Sequence, residues 1–277
     1  MKDAIERATG VRVVAAHRVG GGCINEGWQA ELDDGRRAFV KTRAEVAPGE
    51  YEAEAASLRW LADPGAVRVP AVLGVSEEVL ALEWIDEGSL SSAGAEALGR
   101  GLAELHGAGA DTFGGQRASL HIGALTLPNE PLDDWPSFYA ERRLRPLVPK
   151  AGLSASGAAA VERVCDRIAD LAGPPEPPAR LHGDLWSGNV LAASDGGAWL
   201  IDPVAYGGHR EVDLAMLRLF GAPSTRIFDA YDEVAPLPDG HEDRVELWQL
   251  FPLLVHTVLF GGHYGAQVER VAHRYAG

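Results

Sequence analysis

The string His182-Gly183-Asp184-Leu185-Trp186-Ser187-Gly188-Asn189, followed by Leu200-Ile201-Asp202, gathers the densest set of chemically capable side chains in this 277-residue chain. Moving a phosphoryl group onto a hydroxyl needs an acceptor for the hydroxyl proton. It also needs hard oxygen ligands for a magnesium ion that bridges nucleotide phosphates. Asp184 suits the first task, and Asn189 with Asp202 suits the second. Taken singly, Asp184 and Asp202 read equally well as turn and strand-end residues. The whole string with the further Asp behind it is the specific signal.

Four residues separate Asp184 from Asn189, the same gap as between the catalytic-loop Asp and Asn of protein kinases. The strand-ending acid reads Asp202-Pro203 here and not Asp-Phe-Gly. Lys41 closes the strand-like run Ala38-Phe39-Val40-Lys41, and a helix follows on which Glu54 shares the apolar stripe of Tyr51, Ala55, Leu58 and Leu61. A carboxylate on a buried helix face is costly without a cation. A strand lysine that holds phosphates and is positioned by a helix glutamate explains both residues. Gly20-Gly21-Gly22 matches neither a Walker loop nor Gly-x-Gly-x-x-Gly, but it stands where backbone amides could cover phosphates without side-chain obstruction. Glu83-Trp84-Ile85 ends the last strand before a polar joint, where main-chain groups of Glu83 and Ile85 would read adenine. His182 is expected to brace the catalytic loop, and His106, His256 and His263 to pack or cap helices. Cys23 beside the glycines has no local positive charge to activate it.

The elements that must position these residues fall into two runs. Val11 to Ala16 alternates like a strand; Trp28, Ala30 and Leu32 alternate into the turn Asp33-Asp34-Gly35, and Ala38 to Lys41 returns. The first 41 residues therefore predict an antiparallel meander. A helix over Pro48 to Ala62 and strands over Val69 to Val75 and Val79 to Ile85 follow. After Asp86-Glu87-Gly88 the character becomes helical: Ala93 to His106, then Gly157 to Leu171, stopped by Pro174-Pro175-Glu176-Pro177-Pro178. Residues 107 to 135 read as loop. Short strands are expected over Leu181 to Leu191 and Ala198 to Ile201, and helices from Asp213 to the end. Segregated runs of this kind predict an α+β architecture in two lobes, 1–85 and 86–277, with the candidate site between them.

Composition narrows the function. A net charge of −15, with Arg142-Arg143 and Arg145 as the one short basic cluster, argues against a nucleic-acid partner and leans weakly towards a cationic substrate. Two distant cysteines, Cys23 and Cys165, make neither a zinc site nor a disulfide framework, so a reducing, cytoplasmic setting is expected. Met1 to Arg7 has no signal-peptide core. The apolar stretch Phe251 to Phe260 is too short for a membrane span and is interrupted by Pro252 and His256.

The strings quoted above, with Leu200-Ile201-Asp202-Pro203-Val204-Ala205-Tyr206-Gly207-Gly208-His209-Arg210-Glu211-Val212-Asp213-Leu214-Ala215-Met216, resemble the fructosamine kinase (ketosamine-3-kinase) family. Gly20 to Asn25, Phe39 to Thr42, Trp135 to Tyr139 with Arg143-Leu144, and Gln249 to His256 extend the likeness over nearly the whole chain. Trp186 after Asp184-Leu185 and the Tyr206-to-Glu211 string separate it from the aminoglycoside phosphotransferases, which share only the Asp and Asn framework. The resemblance implies a protein-kinase-like fold and ATP- and magnesium-dependent phosphorylation of the sugar 3-hydroxyl of ketosamines, a deglycation step. It implies Asp184 as base, Asn189 and Asp202 as magnesium ligands, Lys41 and Glu54 at the phosphates, and Trp186, Tyr206 and His209 on the substrate side. A monomer or weak dimer is expected, active without activation-loop phosphorylation. Two rivals stand beside this reading: a kinase of an aminoglycoside, choline or amino sugar, and a nucleotide-binding pseudokinase scaffold.

Overall fold

The computed structural model describes residues 1–20, 26–44, 46–115 and 117–277. The chain opens on a helix, α1 (Lys2–Thr9), where the alternation pattern predicts only the meander. Its stripe is thin, resting on Ala4, Ile5 and Ala8, yet Ile5 is fully buried against the sheet. Three antiparallel strands follow: β1 (Val13–Val19), β2 (Glu26–Leu32) and β3 (Arg37–Thr42). The turn at Asp33-Asp34-Gly35 forms as expected, with Gly35 at φ 87°. The first strand starts and ends later than its alternation suggests. Helix α2 (Glu50–Ala62) precedes β4 (Val72–Val75) and β5 (Leu80–Glu83), and the five strands order as β1-β2-β3-β5-β4. At Gly74 on β4 the sheet meets α1 so closely that a Cβ would lie 2.3 Å from the Ala8 carbonyl oxygen.

The joint after β5 is clamped. Arg37 makes a bidentate pair with Asp86 at 2.9 and 2.6 Å, and Trp84 Nε1 donates to the same carboxylate at 3.0 Å. Helix α3 (Ser92–Gly107) then begins with the Ser91 hydroxyl accepting the Gly94 N–H at 2.9 Å, an N-cap that satisfies one orphan donor. Residues 107 to 135 are not all loop, because they hold a hairpin, β6 (Ser119–Ile122) and β7 (Leu125–Pro128). Strands of four residues among Gly, Pro and Asn leave too little alternation to be read from sequence.

Helix α4 (Trp135–Phe138) runs on as a π turn over Tyr139–Leu144, and α5 (Ala155–Leu171) follows. Short strands β8 (Ala179–Leu181), β9 (Val190–Ala192), β10 (Ala198–Leu200) and β11 (Tyr206–Gly208) pair as β8 with β11 and β9 with β10. Helices α6 (Glu211–Leu219), α7 (Arg226–Val234), α8 (His241–Phe260) and α9 (Tyr264–Ala276) complete the chain. Pro252 does not interrupt α8. Proline removes one N–H from the ladder, and the single Tyr139 hydroxyl proton is within reach of either the Leu247 carbonyl at 2.9 Å or the Trp248 carbonyl at 3.1 Å. Among the described residues no helix is long and apolar enough to cross a membrane.

The architecture is α+β, a sheet with its helices followed by a mainly helical part. One apolar cluster ties them together: Tyr51, Leu58 and Leu61 from α2 join Leu98 and Leu102 from α3 and Leu185 and Leu200 from the catalytic segment. Each such side chain contributes about 1.5–3 kcal/mol on burial, so α2 is held against α3 and β10 as well as against its own sheet.

Candidate active site

Alternation along β3 places Ala38 and Val40 in the sheet's core and turns Lys41 to the opposite face, where it is 5% exposed. A buried ammonium needs carboxylates, and two converge on it. Glu54 Oε1 from α2 lies 2.6 Å from Lys41 Nζ, and Asp202 Oδ1 accepts from the same nitrogen. Burial works against the charged form of Lys41, but Glu54 and Asp202 outweigh it and raise its pKa. The expected lysine–glutamate pair is formed.

Asp202 stands at φ 56°, the left-handed region, and is the one non-glycine residue with positive φ among the described residues. An Asp held there costs of order 1 kcal/mol or more, and such strain gathers at functional sites. The turn it makes brings its carboxylate from the end of β10 into the space in front of Lys41.

The segment that carries Asp184 lies between β8 and a single 3₁₀ turn, Ser187–Asn189. Asn189 Nδ2 donates to the Asp184 carbonyl at 2.8 Å and to Asp184 Oδ2 at 3.0 Å. Burial, with a further push from the charges of Asp202 and Asp213, drives the Asp184 pKa up to about 7 against the opposing Asn189 hydrogen bond. His182 is fully buried and cannot serve as a base. The Asp184 N–H donates to its Nδ1 at 3.3 Å, which leaves Nε2 as the protonated nitrogen facing the Ile201 carbonyl at 3.0 Å. Burial lowers its pKa and keeps it neutral. Gly183 sits at φ 84°, and a Cβ there would meet the Val204 carbonyl oxygen at 2.0 Å, so only glycine fits.

These side chains share one cavity of about 1000 Å³, lined by Gly20, Lys41, Glu54, Glu83, Ile85, Asp184, Trp186, Asn189, Asp202 and Tyr206. At its joint-side wall the Glu83 N–H is taken by the Ala71 carbonyl at 2.8 Å and the Trp84 N–H by Arg37 O at 3.2 Å. The Ile85 backbone N–H and C=O have no partner among the described residues. Gly21, Gly22 and Cys23 lie outside the described residues.

His209 departs from expectation: it does not line the cavity. It is 3% exposed, stacked on Trp248 at 5.4 Å between centroids and beside Trp135. The string around it is structural, because Arg210 forks onto Glu176 at 2.8 Å, and Glu211 takes Arg244 and Trp248 Nε1. Tyr206 lines the cavity but is buried, with the Arg143 guanidinium 4.1 Å above its ring.

Asp213 is the residue that sequence reasoning passed over. It is 1% exposed, and its two oxygens accept the N–H groups of His182 at 2.7 Å and Gly183 at 3.0 Å. His106 Nε2 lies 3.3 Å from it. The signal was present: an Asp between Val212 and Leu214 on an apolar helix, the argument that singled out Glu54.

Magnesium prefers a few oxygen ligands and keeps the rest of its shell for water and phosphates. Asn189 Oδ1 and Asp202 Oδ2 accept no hydrogen bond from any described residue, so the donor set fits. No group of three or more His, Cys, Asp or Glu able to hold a metal occurs among the described residues.

The family model for fructosamine kinase matches residues 1–276. Ketosamine-3-kinase of Mus musculus is 33% identical over 302 aligned positions, covering 95% of this chain and 96% of the mouse protein. The crystal structure of a candidate fructosamine-3-kinase from Thermobifida fusca superposes with a TM-score of 0.93 at 44% identity, covering 100% of this chain and 98% of that one. Choline kinase of Streptococcus pneumoniae, at 16% identity and TM-score 0.65 over 99% of this chain and 96% of its own, shares the fold alone. The chain belongs to the fructosamine kinase family.

Proposed function

We propose that this protein transfers the γ-phosphoryl group of ATP to the sugar 3-hydroxyl of ketosamines, the adducts of sugars with amines, and so begins their removal. The observation that carries this is the convergence of Lys41, Asp184, Asn189 and Asp202 on one cavity, in a chain of this family. We read residues 1–85 as the ATP-binding lobe and 86–277 as the lobe that supplies base, metal ligands and acceptor site. The free N–H and C=O of Ile85 meet the adenine edge, the Glu83 carbonyl stands beside them, and Gly20 to Gly22 cover the phosphates. Lys41, held by Glu54, neutralises phosphate charge that grows as the bond to the leaving oxygen breaks.

Asn189 and Asp202 would hold magnesium, which when bound screens the triphosphate against the incoming oxygen. Asp184, with a pKa about 7 in the ligand-free protein, is well matched to accept the sugar hydroxyl's proton near neutral pH. Its hydrogen bond from Asn189 fixes the carboxylate's orientation. We take the protein to act in the cytoplasm, where the buried thiol of Cys165 stays reduced.

The test is a panel of fructosyl- and ribulosyl-lysine, kanamycin and choline, read by ADP release, for wild type and Asp184→Asn. We expect phosphorylation of the ketosamines and its loss in Asp184→Asn, with nucleotide affinity kept within a few-fold. Turnover of kanamycin or choline in preference to both ketosamines overturns the substrate assignment. A nucleotide-binding protein inactive on the entire panel supports the scaffold reading instead.

A further inference from the structure

The wall of the cavity beyond Asp184 is aromatic, and the proposed function leaves it without a task. Trp186 follows the catalytic Asp184-Leu185 and stands edge-on to Phe220 at 5.9 Å. Phe220 lies 4.9 Å from the His256 ring, and His256 lies 5.1 Å from Tyr264 and 5.5 Å from Phe260. Trp186, His256 and Phe260 all line the main cavity. A second, small cavity is bounded by Asp184 and His256 together. Two members of this wall are among the few large apolar side chains left exposed, Trp186 at 36% and Phe260 at 58%.

The polarity of His256 is fixed by its own helix. Its Nδ1 lies 2.7 Å from the Pro252 carbonyl, which can only accept, so Nδ1 carries the proton. In the neutral ring Nε2 is then an acceptor, and no described residue donates to it. Burial lowers the His256 pKa and favours that neutral ring. A lone acceptor among aromatic rings suits a ligand group that is cationic and carries N–H, because ring faces attract positive charge and the imidazole takes the hydrogen bond.

We propose that His256, with Phe220, Phe260 and Tyr264 around its ring and Trp186 beyond Phe220, is the subsite for the acceptor's alkylammonium nitrogen, with Nε2 accepting its N–H. This rests on the ketosamine reading, because the nitrogen on C1 of such an adduct is four bonds from the 3-hydroxyl oxygen, within about 5 Å. A hydroxyl at Asp184 therefore keeps the nitrogen inside the main cavity, which His256 also lines. The open side of the ring, at Phe260, lets the remainder of the amine extend into solvent, so an amine carried on a peptide fits as well as a free one.

The test compares a ketosamine with its parent ketose, in which a hydroxyl replaces the amine, at saturating ATP. Where the ketose is not turned over, its inhibition constant is used. In His256→Ala we expect kcat/KM for the ketosamine to fall by about 10-fold or more, with the value for the ketose changed less than about 2-fold. His256→Gln, which keeps an acceptor oxygen, should recover part of the loss. Phe260→Ala, at an exposed position, should lower the ketosamine value selectively while leaving thermal stability and the KM for ATP unchanged. Preference for the amine unaltered in both His256→Ala and Phe260→Ala overturns the subsite and leaves the ketosamine reading intact. A wild-type protein that phosphorylates no ketosamine overturns both.

Discussion

The carboxylate of Asp213 accepts the backbone N–H of His182 at 2.7 Å, and its second oxygen accepts that of Gly183 at 3.0 Å. Two adjacent amides are thus fixed from beneath, one residue before the proposed base. The Asp213 pKa is lowered: burial raises it, but the His106 contact and the backbone donors prevail. Because the folded value lies below the unfolded one, its stabilisation is present above about pH 4 and is lost as pH falls through the folded pKa.

Asp213→Ala is expected to destabilise the fold by about 1–3 kcal/mol for each amide left unpaired. Urea denaturation at pH 7 measures it. Where the variant still folds, its kcat should fall more than its KM for ATP rises, since the loop and not the nucleotide wall has moved. A variant with wild-type kcat would show that the loop holds its shape without this anchor.

Lys41 stays charged between pH 5 and 9, because its raised pKa lies above that range, and its contribution to stability is constant there. Glu54→Gln leaves Asp202 as counter-ion, so the variant is expected to fold. The lysine then loses the partner that draws it towards α2 and settles on Asp202. Displacement on the ångström scale costs on the order of 10²-fold in rate, so kcat/KM for ATP should fall by about that factor. Steady-state ADP release with varied ATP checks it, and a change under 3-fold would mean that Asp202 alone suffices to place Lys41.

The parts legible in the sequence are those where chemistry and periodicity coincide. Lys41 closes an alternating strand, Glu54 breaks an apolar stripe, and Asp184, Asn189 and Asp202 sit in a string with fixed spacing, and the structure brings all five to one cavity. The misses have physical reasons. The hairpin Ser119–Ile122/Leu125–Pro128 is too short to alternate visibly, and α1 is too short for a repeated stripe. His209 was placed with the substrate because its string is distinctive, but the string's distinction is a buried polar network around Glu176, Glu211 and Arg244. Arg143, fully buried beneath Phe138, Tyr206 and Phe251 with no carboxylate in contact among the described residues, is invisible to pattern reading because two of its three cage residues come from distant segments.

The Asp184 carboxyl gives a stability signature opposite to that of Asp213. Its folded pKa, pushed up to about 7, lies above the unfolded value, so the native state holds a proton that the unfolded chain has released. Stability is therefore highest below pH 4 for this group and falls as pH rises from about 4 to 7. Asp184→Asn removes that dependence. In ligand-free protein the difference in unfolding free energy, variant minus wild type, is expected to grow by about 2–4 kcal/mol between pH 4.5 and 8. Parallel curves would place the carboxyl in a far more hydrated setting than its surroundings indicate.

Helix α8 carries His256 to the cavity because it continues past Pro252, and the Tyr139 hydroxyl stands at the gap the proline leaves. The ladder partner of a residue at 252 is the carbonyl of Trp248, which proline cannot serve. The Tyr139 hydroxyl donates to Trp248 O or Leu247 O and accepts the Phe251 N–H at 3.2 Å, so one side chain mends the gap from outside the helix. Tyr139→Phe removes the mend from a fully buried site and should cost about 1–3 kcal/mol. Pro252→Ala restores a backbone donor to Trp248 O, so in the Tyr139→Phe background it should return a large share of that loss. In wild type, where the carbonyl is already served, the same change should do much less. Urea denaturation of the four proteins gives the coupling energy. A coupling near zero would mean that the hydroxyl and the proline are neighbours without being partners, and that α8 spans the gap by packing alone.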